Sequence, residues 1–252
     1  MRDFFGVDGP LYRFLTKFYD ILKLNFMWLI FGGVAEFAAC SVLCDYYRIS
    51  PGSYLYLICF IPLVLIGPAT AAAFTITLRM VDEKEGYIGK PFLQAYKDNF
   101  GKGMILGLVT LVAVFAIMID FWVYTQTDQF AFMILGIVAT IFILSHLLFA
   151  YPLQARYENT IVNTLRNSHA ISFRYFKRSL PMLLILIALV VVFLWNFVTI
   201  FLGILIGPCT LFYMISSTSM YVFRQIEREN NNMEQERASG ETSEREALEK
   251  EI

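Results

Sequence analysis

Apolar and charged positions alternate in long blocks along this chain. Nineteen of its twenty Lys and Arg residues fall in residues 2–23, 79–102, 156–178 and 224–250, and Arg48 stands alone between the first two segments. The runs that separate these segments are apolar and almost free of charge. A helix of about 20 apolar residues is long enough to cross a bilayer. The pattern therefore predicts an all-helical polytopic membrane protein.

Six apolar runs reach the necessary length. They cover approximately residues 25–44, 54–78, 104–124, 130–151, 181–200 and 203–223. No charged residue occurs from Leu180 to Phe223, and we interpret this stretch as two spans joined by a turn near Phe201–Gly203. Basic residues on both flanks require an even number of crossings, because cytoplasmic loops retain Lys and Arg. The same rule places both termini in the cytoplasm.

Composition supports a membrane protein and limits its chemistry. The chain has 252 residues, of which 58% are hydrophobic and 16% charged. Two His and four Cys form no HExxH or CxxC motif, and GxSxG and glycine-rich phosphate loops are missing from the sequence as well. We therefore predict a protein that is not an enzyme, has no cofactor or metal and does not bind nucleic acid.

Two short segments outside the spans are predicted to be amphipathic helices at the cytoplasmic interface. In residues 92–102, Phe92, Tyr96 and Phe100 recur every four positions, and residues 165–179 mix aromatic and basic side chains in a similar way. The basic candidates in and beside these helices are Lys97, Lys102, Arg174, Lys177 and Arg178. They suit anionic lipid headgroups, and the alternative is docking of a cytoplasmic partner.

The chain divides into a predicted membrane domain, residues 1–223, and a charged cytoplasmic tail, residues 224–252. The tail is rich in charge and poor in apolar residues. Such a composition buries too little apolar surface to fold alone. We expect a disordered tail or a fraying helix.

One motif occurs twice. Ile66–Thr70 recurs as Ile206–Thr210, so that Gly67-Pro68 and Gly207-Pro208 hold corresponding places in two spans. Proline removes a backbone donor, and the freed carbonyls can either line a transport pathway or be satisfied within a packing kink. With Pro152 near the end of another span, the chain also reads as three repeats of an interfacial helix plus a helical hairpin.

Three polar side chains within spans are candidate functional residues. Glu36 lies near the middle of the first span beside Gly32 and Gly33, while His146 and Asn196 belong to the fourth and fifth spans. A charge at mid-membrane costs about 2.5 to 3.5 kcal/mol on insertion scales, so such residues are functional candidates by default. Glu36 either binds a proton or cation or makes a structural hydrogen bond. Asp120 is expected to be solvated at an outside loop.

Several motifs carry a resemblance to a known family. They are Phe4 to Arg13, Leu24 to Trp28, Ile66 to Thr70 with the following alanines, and Thr77 to Val81 leading to Glu85 to Ile88. Over roughly residues 4–110 the chain resembles the YesL family of bacterial integral membrane proteins. The resemblance implies a protein of the bacterial cell membrane whose relatives accompany carbohydrate-importing ABC systems. The chain departs from the family pattern in a longer stretch between Trp28 and Gly67, which contains Glu36.

These observations lead to one functional expectation and two alternatives. We expect a non-catalytic accessory or assembly partner of a carbohydrate-uptake system, in contact with the lipid bilayer and with sugar ABC-transporter permease subunits. The first alternative is a small-solute transporter or channel with the Gly-Pro breaks and Glu36 along its pathway. The second is a partner of a signalling kinase that docks through the tail.

Overall fold

The computed structural model describes residues 9–49, 61–83, 87–127, 129–193 and 195–250, and all regular structure in these ranges is helical. The helices are α1 (Pro10–Phe31), α2 (Val34–Tyr46), a 3-10 helix (Ile61–Leu65), α3 (Ile66–Val81), α4 (Gly89–Asp98), α5 (Phe100–Thr127), α6 (Phe130–Arg156), α7 (Ile161–Arg174), α8 (Phe176–Phe193) and α9 (Phe197–Lys250). Among these residues, four helices are long and apolar enough to cross a membrane, or five if the bent pair α1 and α2 is one span. This arrangement is that of a membrane protein.

Helix α3 lies at the centre of the molecule. In the span Ile61–Val81 61% of the most apolar window is buried, against 11 to 17% in the other three long spans. Its buried positions include Gly67, Ala69 and the run Ala71–Ala73. Small side chains allow neighbouring helices to approach closely in a membrane. Helices α5, α6 and α9 therefore pack directly around α3.

A threefold pattern runs along the chain. A helix, a break and a second, apolar helix follow each other as α1 and α2, α4 and α5, and α7 and α8. The breaks lie at Gly32–Gly33, Asn99 and Tyr175. Each pair is followed by a helix that contains proline, namely Pro68, Pro152 or Pro208. This order agrees with the predicted three repeats.

Most buried side chains lie at one end of the molecule, which we call the packed end. It consists of α3, α4 and α7 together with residues 21–31 of α1, 148–156 of α6 and 207–229 of α9. The α5–α6 and α8–α9 hairpins extend away from it, and most of their large apolar side chains are exposed. The core of the molecule is therefore built from the short helices and from the proline-containing helices they cover.

The short helices bury their inner faces against protein rather than leaving them for lipid. In α4, Phe92 is fully buried, and its ring centroid lies 5.8 Å from that of Phe31. In α7 the buried face consists of Thr164, Ser168 and Ser172, at spacings of four. These small hydroxyl side chains allow α7 to pack closely on α6. The apolar face of α4 that looked suited to lipid completes the core instead.

The first predicted span is not a straight helix. Helices α1 and α2 meet at Gly32–Gly33 with a bend of 54°. Gly33 has φ of 72°, and a Cβ at this position would lie 2.9 Å from the Cβ of Pro62. Glycine is therefore required here both by the left-handed backbone and by the contact with the 3-10 helix. The predicted span over residues 25–44 is therefore bent at Gly32–Gly33, and it is one span if α1 and α2 cross the membrane together.

The break between the last two apolar helices lies earlier than predicted. Helix α8 ends at Phe193 and α9 begins at Phe197, so Phe201–Gly203 is helical. Asn196 caps α9: its Oδ1 accepts from the backbone N–H of Thr199 at 3.0 Å, and its own N–H donates to Thr199 Oγ1 at 2.9 Å. This reciprocal pairing fixes a helix start. Asn196, a candidate functional residue in the sequence, therefore acts as a helix cap within its own turn.

Helix α9 passes residue 223 without a break and continues to Lys250. Its next turns are bound to the packed end through Arg224 to Asp82 at 2.6 Å, Glu227 to Arg156 at 3.0 Å and Glu229 to Arg174 at 2.8 Å. Glu, Gln and Arg, which are frequent here, are good helix formers. Residues 224–229 are thus part of the packed end.

Candidate functional site

The Gly207-Pro208 kink in α9 is closed by a side chain from α1. Proline has no N–H, so the carbonyl of Ile204 loses its helical donor. Asn25 Nδ2 donates to the carbonyls of Ile204 at 2.9 Å and Leu205 at 2.8 Å, and the backbone N–H of Cys209 donates to Asn25 Oδ1 at 3.2 Å. Asn25 is fully buried. The transport hypothesis needs free carbonyls at this kink, but the carbonyls of Ile204 and Leu205 are hydrogen-bonded to Asn25.

The Gly67-Pro68 motif lies against two glycines of α5. A Cβ on Gly103 would lie 2.7 Å from the Cα of Pro68, and a Cβ on Gly107 would lie 2.7 Å from the Cα of Gly67. Gly103 and Gly107 form a G-x-x-x-G pattern, which permits close helix approach in membranes. These two glycines are not among the predicted site residues, although their spacing is a readable signal in the sequence.

Helix α1 connects the two copies of the repeated motif. While Asn25 binds the second copy, Trp28 Nε1 donates to Thr70 Oγ1 of the first at 3.0 Å. Helices α3 and α9 also bond to each other directly, through hydroxyls of Thr77 and Ser216 that lie 2.7 Å apart. Both Gly-Pro motifs thus pack against α1 and are held there by hydrogen bonds.

Glu36 lies in the first turn of α2, directly after the break, and its side chain is exposed. The charge of Glu36 acts on Tyr96, whose hydroxyl donates to the carbonyl of Phe31 at 3.3 Å. Burial raises the pKa of the Tyr96 hydroxyl, and the negative charge of Glu36 raises it further. Helix α6 runs through His146, whose side chain lies outside the described part of the structure.

The five basic candidates fall into two groups. Arg174 pairs with Glu229 at 2.8 Å, and the Arg178 guanidinium lies 3.9 Å from the ring centroid of Tyr221. Both therefore bind α9. The side chains of Lys97, Lys102 and Lys177 are exposed. These three lysines remain accessible to a lipid headgroup or to a protein partner.

A charged cluster absent from the predictions joins the end of α6 to α9. Tyr157 Oη donates to Glu227 Oε1 at 2.6 Å, and Arg156 Nη2 donates to the same oxygen at 3.0 Å. The hydrogen bond from Tyr157 and the Arg156 guanidinium hold the pKa of Glu227 below its ordinary value. Burial, together with this bond, raises the pKa of Tyr157 to about 12. The cluster fixes the direction in which α9 leaves the membrane segment.

A pocket of about 300 Å³ lies between α5, α6 and α8 and contains Asp120. One carboxylate oxygen of Asp120 is buried without a hydrogen-bond partner. This differs from the expected solvated side chain, because the wall of α6 closes over it. Among the described residues, no three His, Cys, Asp or Glu side chains come close enough to hold a metal ion.

Comparison with known proteins gives one match. No curated protein and no solved structure matches the chain. Residues 21–121 match a family model described as "Protein of unknown function, DUF624". This range runs from α1 to α5 and includes Asn25, Trp28 and the first Gly-Pro motif. Over these residues the chain is therefore similar to the DUF624 family.

Proposed function

We propose that this protein is a non-catalytic accessory or assembly partner of a carbohydrate-importing ABC system in the bacterial cell membrane. The chain resembles the YesL family, the type of protein that DUF624 covers. This resemblance supports an association with carbohydrate-importing ABC systems. One structural observation supports the accessory role: the membrane hairpins carry extensive apolar surface that the chain itself does not cover.

This surface is extensive on α5 and α8. Only 11% and 12% of their most apolar windows are buried within the chain. Exposed large side chains include Val112, Phe115, Met118, Ile185 and Val191. In a bilayer such surfaces contact either lipid tails or the spans of another protein, which are about equally apolar. Because the packed end holds the core, these faces are available to a permease subunit without cost to folding.

The exposed lysines give the same partner a second contact. Lys97 and Lys102 lie on either side of the α4–α5 break, and Lys177 follows the corresponding break between α7 and α8. Their ammonium groups are suited to acidic side chains on a partner's cytoplasmic loops, or to anionic lipid. Arg174 and Arg178 are engaged with α9 and are less suited to this role.

A pull-down from native membranes tests the proposal. Tagged protein is extracted in mild detergent from cells grown on plant-type oligosaccharides, and co-purifying proteins are quantified. We expect permease or binding-protein subunits near stoichiometry, and their loss in the triple variant Lys97→Glu, Lys102→Glu, Lys177→Glu. A control reverses two exposed charges on the tail, Arg228→Glu and Arg237→Glu. Recovery of the protein alone would count against the accessory role.

The second candidate function is transport by this chain itself. The break between α1 and α2, with Glu36 in the first turn after it, supports this candidate. Discontinuous helices often bind ions in secondary transporters. Proteoliposomes containing only this protein should then show solute flux that Glu36→Gln abolishes and Asp45→Asn, an exposed carboxylate on the same helix, leaves intact. Absence of flux in the unsubstituted protein would remove the candidate.

A further inference from the structure

The pocket between α5, α6 and α8 has an almost wholly apolar wall. Its volume is about 300 Å³, and its lining includes Phe121, Phe132, Met133, Leu183 and Ile187. Asp120 is the only ionisable carboxylate among the lining residues. A cavity with apolar walls and one charged group is the usual form of a small-ligand site.

The carboxylate of Asp120 points towards a glycine on α6. A Cβ on Gly136 would lie 2.6 Å from Asp120 Oδ2, so any larger residue would displace this oxygen. The oxygen is buried and has no hydrogen-bond partner. The nearby Thr140 hydroxyl donates to the carbonyl of Gly136 at 2.7 Å and is therefore not free to donate to the carboxylate.

An unpaired carboxylate oxygen in such surroundings is unfavourable, because it has lost water without gaining a donor. Asp120 lies seven residues before the end of α5 at Thr127, a distance of about 10 Å along the helix axis at about 1.5 Å per residue. The pocket is thus near the hairpin turn that the charge pattern places outside, within reach of molecules at the membrane surface. A ligand from that surface can supply the missing donor.

We propose that this pocket binds the primary ammonium group of an amphiphilic amine. An ammonium offers three donors and a charge that complements Asp120, and charge-assisted hydrogen bonds are the strong ones. The rings of Phe121 and Tyr124, which also line the pocket with centroids 6.3 Å apart, suit a cation as well. The apolar wall receives the rest of the molecule. The amine belongs either to a lipid headgroup or to a free hydrophobic amine. This site is independent of the accessory role.

Binding is measured on the full chain in nanodiscs of phosphatidylcholine and phosphatidylglycerol, lipids without a primary amine. One arm adds benzylamine, with toluene, which lacks the amino group, as the neutral analogue, and follows the thermal shift. The other arm adds phosphatidylethanolamine and counts retained lipid by native mass spectrometry. A response to benzylamine alone identifies a free amine as the ligand. Retention of phosphatidylethanolamine identifies a lipid headgroup.

Two variants test the carboxylate itself. Asp120→Asn keeps the shape of the side chain, and Gly136→Ala keeps the charge but displaces the oxygen. Both should weaken binding of the responding amine by at least about tenfold, as expected for loss of a charge-assisted bond. Asp45→Asn, which changes an exposed carboxylate on α2, should bind as the unsubstituted protein does. Three results would overturn the proposal. The first is equal binding by Asp120→Asn and the unsubstituted protein, and the second is an equal response to benzylamine and toluene with no retained phosphatidylethanolamine. The third is no binding in either arm.

Discussion

At the scale of single residues, the polar side chains with the most structural effect are those that hydrogen-bond to backbone groups left unpaired at a helix kink. Asn25 makes three hydrogen bonds to residues 204–209 of another helix. The sequence marked Pro208 as a kink but contained no signal for its partner, because the two positions are far apart along the chain. Glu36, the most conspicuous polar residue in the sequence, is exposed and lies beside the break at Gly33.

Replacement of Asn25 should therefore destabilise the protein strongly. Asn25→Leu keeps the approximate size of the side chain but leaves two carbonyls and one N–H unsatisfied in a buried position. Each such group costs about 1 to 3 kcal/mol. We expect a clearly lowered midpoint of thermal unfolding in detergent. Asn230→Leu, an exposed position on the tail, is the control, and equal midpoints for the two variants would contradict this account.

The Glu227 cluster should make stability depend on pH in the acidic range. Because the pKa of Glu227 is lower in the folded protein than its ordinary value of 4.5, its contribution is present above that value and is lost as the pH falls below it. With the Glu227 side chain 42% exposed, solvent screening keeps the contribution below about 1 kcal/mol.

The check is the unfolding midpoint measured from about pH 6 down to about pH 3, the range in which carboxylates titrate. Glu227→Gln should be less stable than the unsubstituted protein at the upper end of this range and should approach it at the lower end. Glu234→Gln, an exposed carboxylate on the tail, should follow the unsubstituted protein throughout. A constant difference between Glu227→Gln and the unsubstituted protein would argue against the ion pair.

At the scale of helices, the apolar runs predicted where helices occur, but their breaks depended on neighbouring elements. Gly33 adopts its left-handed conformation where the chain meets Pro62. The start of α9 is set by the capping pair Asn196 and Thr199, whose spacing of three is visible in the sequence. The amphipathic pattern of α4 was correct, yet it could not distinguish a face that binds lipid from one that packs on protein.

The contact between α3 and α5 gives a prediction at this scale. Gly103→Ala or Gly107→Ala should separate the two helices, since either Cβ would lie 2.7 Å from backbone atoms of α3. The expected result is a lower unfolding midpoint. Gly101→Ala, where a Cβ meets open space, should be neutral or stabilising by up to about 1 kcal/mol through helix propensity. Similar midpoints for all three variants would mean that the close contact does not form.

At the scale of the whole molecule, the distribution of basic residues predicts the side of the membrane on which each end lies. Nine of the twenty Lys and Arg residues lie within the packed end, whereas the α5–α6 turn carries none. With both termini inside, a cysteine at Gln129 should react with a membrane-impermeant maleimide on intact cells, whereas one at Ser239 should react only after permeabilisation. The unsubstituted protein corrects for the native cysteines. Labelling of Ser239→Cys on intact cells would reverse the predicted orientation.

The sequence by itself determined that this is a helical membrane protein, roughly where its apolar helices lie and which motif is repeated, because length, hydropathy and charge act locally along a chain. Only the tertiary structure decided what those elements contact. It showed that α4 and α7 pack into the core, that Asn25 closes the kink at Pro208, and that Asp120 lies in a pocket opposite Gly136. Helices in lipid are selected by close fit and by buried hydrogen bonds rather than by hydrophobicity, and such fit depends on pairs of residues that are remote in sequence.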